Sequence, residues 1–77
     1  MEGKLTFQYD RVGDILYIQK RPPYPEQESE ELGDDVIARM NPSTGDIEGL
    51  EILFFSSRLR SDAAFDLPVV ADLRRAV

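Results

Sequence analysis

Paired carboxylates are the residues of this sequence whose types and spacing could do chemistry. Asp10 and Asp14 flank a short segment that contains Gly13, and Asp34 and Asp35 are adjacent. Carboxylate oxygens are the ligands that Mg²⁺ and Ca²⁺ prefer, so a metal-dependent enzyme that uses these four aspartates is one hypothesis. The calcium-loop spacing is absent, however, and an aspartate at a turn commonly bonds its own backbone. We therefore expect no metal site and no cofactor, and this hypothesis ranks last.

Two further sets of residues have the types that acid–base or nucleophilic catalysis requires. Glu48 and Glu51 are three residues apart, a spacing that places them on opposite faces of a strand unless Gly49 forms a bulge. We interpret both as surface residues. Ser56 and Ser57 would need a base to act as nucleophiles, and the sequence has no His, so helix capping is the better interpretation. Because no group of residues joins a nucleophile, a base and a stabilising donor, we expect no enzyme.

Charge is concentrated in one segment. The chain has 15 acidic and 9 basic residues and a net charge of -6, which disfavours binding to nucleic acid. Residues 20–35 contain Pro22, Pro23 and Pro25, and they predict a mobile acidic loop. This loop is either a solvated surface or a docking site for a basic protein. The contacts predicted for that partner are Glu28, Glu30, Glu31, Asp34 and Asp35.

Alternating and β-branched residues predict the elements that position these side chains. Four strands are expected at about residues 4–9, 15–19, 36–40 and 47–55. Turns are expected around Gly13 and at residues 41–45. Pro68 to Ala76 predict a helix, because Val69, Val70, Leu73 and Val77 recur at helical spacing.

These elements predict an α+β fold with a four-stranded antiparallel β-meander and a C-terminal helix packed on one face. We expect a single domain over residues 1–77. Its parts would be a sheet at about 4–55, the acidic loop at 20–35 and a C-terminal helical segment at 56–77.

Length and composition set the class of protein. The sequence has 77 residues and no Cys, and 42% of it is hydrophobic, so a folded core without disulfides is expected. No signal peptide and no membrane-spanning segment are recognised, which predicts a cytoplasmic protein with no membrane partner. A core this small favours a homo-oligomer. The residues predicted for self-association are Leu53, Phe54 and Phe55.

Two stretches carry a resemblance to a known family. They are the run from Tyr9 to Ile18 (YDRVGDILYI) and the ordered pieces from Ser29-Glu30-Glu31 through GDIEGLEIL at 45–53 to Ser57-Arg58-Leu59. They resemble the bacterial domain of unknown function 2283 over roughly residues 5 to 60. The resemblance implies a small antiparallel sheet and no established activity. It also implies an antitoxin-like partner role, since some members lie beside toxin-like genes.

Three hypotheses of function follow. The first is a small non-enzymatic protein-interaction module, antitoxin-like, that binds a basic protein through the acidic loop and an exposed sheet edge. The second is a structural homo-oligomeric domain. The third is the metal-dependent enzyme, and no feature of the sequence separates the first two.

Overall fold

A computed structural model describes residues 4–61 and 64–76. Within these residues, five strands form one antiparallel sheet and a single short helix follows it. In chain order the elements are β1 (Thr6–Asp10), β2 (Ile15–Gln19), β3 (Glu28–Gly33), β4 (Val36–Met40), β5 (Ile47–Leu53) and α1 (Phe55–Ser61). The predicted antiparallel sheet is confirmed, but it has five strands and not four.

The strands do not follow chain order across the sheet. The spatial order is β1-β2-β5-β4-β3, so β2 pairs with β5, and residues 20–27 connect β2 to the far edge. The prediction of a simple meander is therefore wrong. The hairpin β1–β2 and the meander β3–β4–β5 each follow chain order, and they join where β5 pairs with β2.

The fifth strand lies in the segment predicted to be a loop at 20–35. β3 pairs along its length with β4. Asp34 and Asp35 connect the two strands with φ values of 54° and 60°, and a type I′ hairpin turn requires positive φ at both central residues. Aspartate tolerates this conformation because its short side chain bonds locally. The loop prediction is therefore wrong for residues 28–33. The sequence pattern favoured a loop because glutamate is depleted in strands and because the turn residues belong to a continuous acidic run.

The core lies on one face of this sheet, which we call the core face. Val36 and Ala38 of β4 lie directly opposite Ile52 and Leu50 of β5, and all four are buried. On β2, Leu16 and Ile18 continue the same rows. Alternation along β2, β4 and β5 thus places one apolar face inward.

An extended segment, and not a helix, covers the core face. Between residues 64 and 76 the chain has no regular secondary structure, so the predicted helix at 68–76 is wrong. Val70 and Leu73, which that helix would bury, are exposed. The side chains of this segment that do pack on the core alternate along the chain: Phe65, Leu67 and Val69. Period two is the pattern of an extended chain, and a helix this short has little stability of its own.

The helix that forms instead is α1, within the segment predicted as helical at 56–77. The helix α1 begins at Phe55, one residue before the predicted segment, and ends at Ser61. Residues 62, 63 and 77 of the predicted segment lie outside the described residues. Over 4–61 and 64–76 no helix is long and apolar enough to cross a membrane.

The turn and the irregularity flanking β5 agree with the sequence. Asn41 Oδ1 accepts hydrogen bonds from the N–H groups of Ser43 (2.8 Å) and Thr44 (3.1 Å), as the turn prediction requires. The β4–β5 ladder pairs Arg39 with Gly49 and then Met40 with Ile47, so one residue of β5 is extra. The bulge suggested by Gly49 is present, and Glu48 is the extra residue.

Candidate functional site

β3 is an edge strand, and it carries three of the five acidic residues predicted to contact a partner. Glu28, Glu30 and Glu31 are all exposed. In the part of the chain that the structure describes, none of the three forms an ion pair. Strand alternation places Glu28 and Glu30 on one face and Glu31 on the other. The predicted acidic cluster therefore lies along a sheet edge whose outward backbone groups have no strand partner.

The remaining two predicted contacts form the turn at the end of β3. Asp34 Oδ2 accepts a hydrogen bond from Arg58 NH1 at 3.5 Å. The backbone carbonyl of Asp35 accepts one from the Leu53 N–H at 2.9 Å. Both contacts hold the turn against the β5–α1 junction, while the Asp34 side chain stays 83% exposed.

An open groove of about 300 Å³ lies beside this turn. Its lining combines apolar side chains with two carboxylates: Leu32, Gly33, Asp34, Asp66, Leu67 and Pro68. Lys and Arg bury an apolar stem and keep a charged head in water. The groove thus offers apolar surface beside two carboxylates.

Glu48 is not a surface residue, and that interpretation is wrong. Its residue is only 8% exposed, because the bulge turns it toward the 20–27 connection. One carboxylate oxygen accepts hydrogen bonds from Tyr24 OH (2.5 Å) and Gln27 Nε2 (3.0 Å). The other accepts from Asn41 Nδ2 (3.2 Å) and Arg21 NH1 (3.4 Å). Four donors from two segments thus converge on one carboxylate.

This arrangement lowers the pKa of Glu48 from 4.5 to about 2, chiefly through the Tyr24 hydrogen bond, with further lowering by Gln27 and Asn41. The same bond raises the pKa of Tyr24. A carboxylate that stays ionised and fully bonded is a poor base and cannot serve as an acid near neutral pH. Glu48 therefore anchors the connection, and sequence reasoning missed three of its four donors because they lie more than twenty positions away along the chain.

Glu51, likewise interpreted as a surface residue, is also buried, at 9% exposure. It lies on the face opposite the core and pairs with Arg39, whose Nε donates to Glu51 Oε2 at 2.5 Å. Glu48 and Glu51 are each engaged by separate donors. The geometry gives no indication that they act as an acid–base pair.

Asp14 is a second anchoring carboxylate, located between β1 and β2. It accepts hydrogen bonds from Tyr9 OH (2.6 Å), Ser56 N (2.9 Å) and Ser56 Oγ (2.7 Å). Its backbone carbonyl accepts from Phe55 N. Asp14 thus satisfies two N–H groups at the start of α1, the role that sequence reasoning gave to Ser56 itself. These bonds lower the pKa of Asp14, and the hydrogen bond from Tyr9 makes the largest contribution. The same bond raises the pKa of Tyr9.

The aspartates proposed as metal ligands have other roles. Asp10 Oδ1 accepts hydrogen bonds from the N–H groups of Val12 (3.0 Å) and Gly13 (3.2 Å), which is the turn-supporting role that the sequence favours. Among residues 4–61 and 64–76, no group of three or more His, Cys, Asp and Glu side chains has the geometry of a metal site.

The residues predicted for self-association point in different directions. Phe54 is 58% exposed and has a φ of 54°. Phe55 packs against the core cluster, with its ring 5.9 Å from Tyr9 and 6.1 Å from Phe65. Leu53 is half-buried. The structure does not bring the three into one exposed patch, and their role in self-association stays a prediction.

Comparison with known protein families matches residues 6–56 to a model described as a protein of unknown function, DUF2283. The chain belongs to the DUF2283 family. The match covers all five strands and the start of α1, so the two anchoring carboxylates and the β3 edge lie inside the family region. Comparison with curated proteins and with solved structures gives no match.

Proposed function

We propose that this DUF2283 chain is a small non-enzymatic interaction module that binds a basic protein by strand addition at β3. The observation that supports the proposal is the placement of three exposed glutamates on an edge strand. An incoming strand gains affinity from main-chain hydrogen bonds and specificity from the side chains opposite it.

The charges select the kind of strand that can pair there. A cross-strand pair of opposite charges contributes roughly 0.2–1 kcal/mol, and like charges placed opposite each other destabilise the pairing. A strand with Lys or Arg at alternate positions would place cations opposite Glu28 and Glu30, which share a face. A second copy of β3 would place glutamate against glutamate. The edge is therefore suited to a basic partner and protected from its own copies.

The turn and the groove extend this surface beyond the strand. Asp34 and Asp66 line the groove beside β3, where a Lys or Arg flanking the bound strand would bury its stem. The net charge of -6 adds long-range attraction, which acts mainly on the association rate. An antitoxin-like role, with a basic toxin as the partner, is one form of this function and rests on the family resemblance alone.

A defined peptide tests the proposal without knowledge of the natural partner. The probe is a peptide of about nine residues that alternates Lys and Val, long enough to span β3. We expect it to shift the backbone amide signals of β3 and β4 in NMR spectra of the labelled protein at low salt, and added salt should weaken binding.

Two controls make the result decisive. A peptide with Glu in place of Lys should not bind. The triple variant Glu28→Gln, Glu30→Gln, Glu31→Gln should bind the Lys peptide several-fold more weakly, whereas Glu26→Gln, at an exposed position outside the strand, should bind normally. Equal binding of both peptides, or signal changes confined to another edge, would overturn the proposal.

A further inference from the structure

β1 forms the opposite edge of the sheet and differs from β3 in composition. Leu5, Phe7 and Tyr9 are 46%, 61% and 43% exposed, and strand alternation places them on one face. Phe7 and Tyr9 lie opposite Ile18 and Leu16, so that face is the core face. No charged residue occurs from Leu5 to Tyr9. From Leu5 to Tyr9 the edge is therefore apolar on the core face and uncharged, and Lys4 and Asp10 lie at its two ends.

We propose that two copies of this chain pair their β1 strands antiparallel about a two-fold axis, with Phe7 opposite Phe7 of the other copy. Two five-stranded sheets then become one continuous sheet of ten strands. The occupant of this edge is thus a second copy of the same chain.

The sequence around β1 is self-complementary in this register. It places Leu5 opposite Tyr9 and Thr6 opposite Gln8, so apolar residues meet on the core face and polar residues meet on the other face. It also places Lys4 of each copy opposite Asp10 of the other, so that a cation meets an anion at both ends of the pairing.

Other registers lose one of these matches. A shift of one residue would place apolar side chains opposite polar ones. A shift of two residues would keep the faces aligned but separate Lys4 from Asp10. The register centred on Phe7 is also compatible with backbone hydrogen bonding. The N–H and C=O groups of successive residues point alternately to the two sides of a strand, and in this register two paired residues always point to the same side, so outward groups face outward groups.

The rest of the molecule favours this edge over β3 for pairing between copies. Each chain carries a net charge of -6, and the exposed glutamates of β3 would oppose one another there. On the core face, a row of rings runs from Phe65 through Phe55 to Tyr9. The Phe7 side chains of two copies would meet beyond this row and remove apolar surface from water.

Sedimentation velocity over a range of concentrations measures the association. We expect the wild-type chain to form a dimer, and Phe7→Lys to raise the dissociation constant at least about tenfold, because two cations would meet at the axis. The matched control is Leu59→Lys, at a side chain of α1 with similar exposure (56%), and it should leave the dimer intact. Circular dichroism verifies that both variants fold.

Cysteine cross-linking then tests the register, because the chain has no cysteine of its own. Under mild oxidation Phe7→Cys should form a disulfide-linked dimer, since residues directly opposite on paired strands lie within disulfide range. Leu5→Cys should not, because the two copies of residue 5 are offset by about 13 Å along the strands. A wild-type chain that remains monomeric to about 1 mM, or equal cross-linking of the two variants, would overturn the proposal.

Discussion

Two groups of carboxylates in this chain have the same chemistry and opposite surroundings. Glu48 and Asp14 accept several hydrogen bonds each, most of them from distant segments, and the pKa of each is lowered. Glu28, Glu30 and Glu31 face water along the β3 edge. The first group joins segments of the fold, and the second is free to act on another molecule. A count of acidic residues cannot distinguish these roles, whereas the donors around each carboxylate do.

Glu48→Gln should give the largest effect on stability. The amide places an N–H₂ group where one carboxylate oxygen accepts part-buried hydrogen bonds from Asn41 and Arg21, so these two donors lose their acceptor. We expect the Tm to fall on the order of 10 °C. Thermal unfolding followed by circular dichroism measures this fall. Glu26→Gln, the same change at an exposed residue, should leave the Tm nearly unchanged, and equal effects of the two would erase the distinction between the groups.

Acid should remove the same contribution from the wild-type protein. The pKa of Glu48 is about 2 in the folded state against 4.5 ordinarily, so the unfolded state binds more protons between these values. The stability from Glu48 is therefore complete above about pH 4.5 and is lost as the pH falls toward about 2. Unfolding midpoints measured across this window should decline more steeply in the wild type than in Glu48→Gln. Parallel curves would show that Glu48 does not contribute.

Asp14→Asn should have a smaller effect. Asparagine tolerates the φ of 57° at this position, and its Oδ1 can still accept from Tyr9 OH and Ser56 N. These bonds lose the carboxylate charge, however, and the N–H₂ group that replaces Oδ2 cannot accept the bond from Ser56 Oγ. We expect a decrease in Tm of about 5 °C. Tyr9→Phe, which removes one of these bonds, should give part of that decrease, and Asp46→Asn, at an exposed turn position, should give none.

Neutralising β3 should have the smallest effect on stability. The triple variant Glu28→Gln, Glu30→Gln, Glu31→Gln breaks no ion pair in the described part of the chain. We expect its Tm to change by less than about 2 °C, while its affinity for the basic peptide falls. A large loss of stability would show that these glutamates, like Glu48 and Asp14, hold segments of the fold together.

The sequence predicted the parts of the fold that depend on local pattern. The strand β1, the turn at Asn41 and the bulge beside Gly49 are each determined by neighbouring residues, and each is confirmed. Prediction was wrong where a distant partner decides the outcome. The burial of Glu48 depends on donors from the 20–27 connection, and β3 is a strand because β4 lies beside it.

Helical periodicity was misleading near the end of the described chain for a related reason. Residues 68–76 have helical spacing, but only Val69 among them packs against the apolar face of the sheet, and residues 70–76 are exposed. Phe65, Leu67 and Val69 meet that surface with period two. The acidic site was predictable as a cluster of charge, although its placement on an edge strand required the pairing of β3 with β4.

The central position of β5 has a consequence for the order of folding. β5 is the last strand of the described residues, yet it pairs with β2, and the strands β3 and β4 lie between the two in the sequence. On the ribosome the β1–β2 hairpin emerges before β5, and the inner side of β2 has no partner until β5 is complete. We therefore expect the nascent chain to expose a second reactive edge, one that the finished fold conceals.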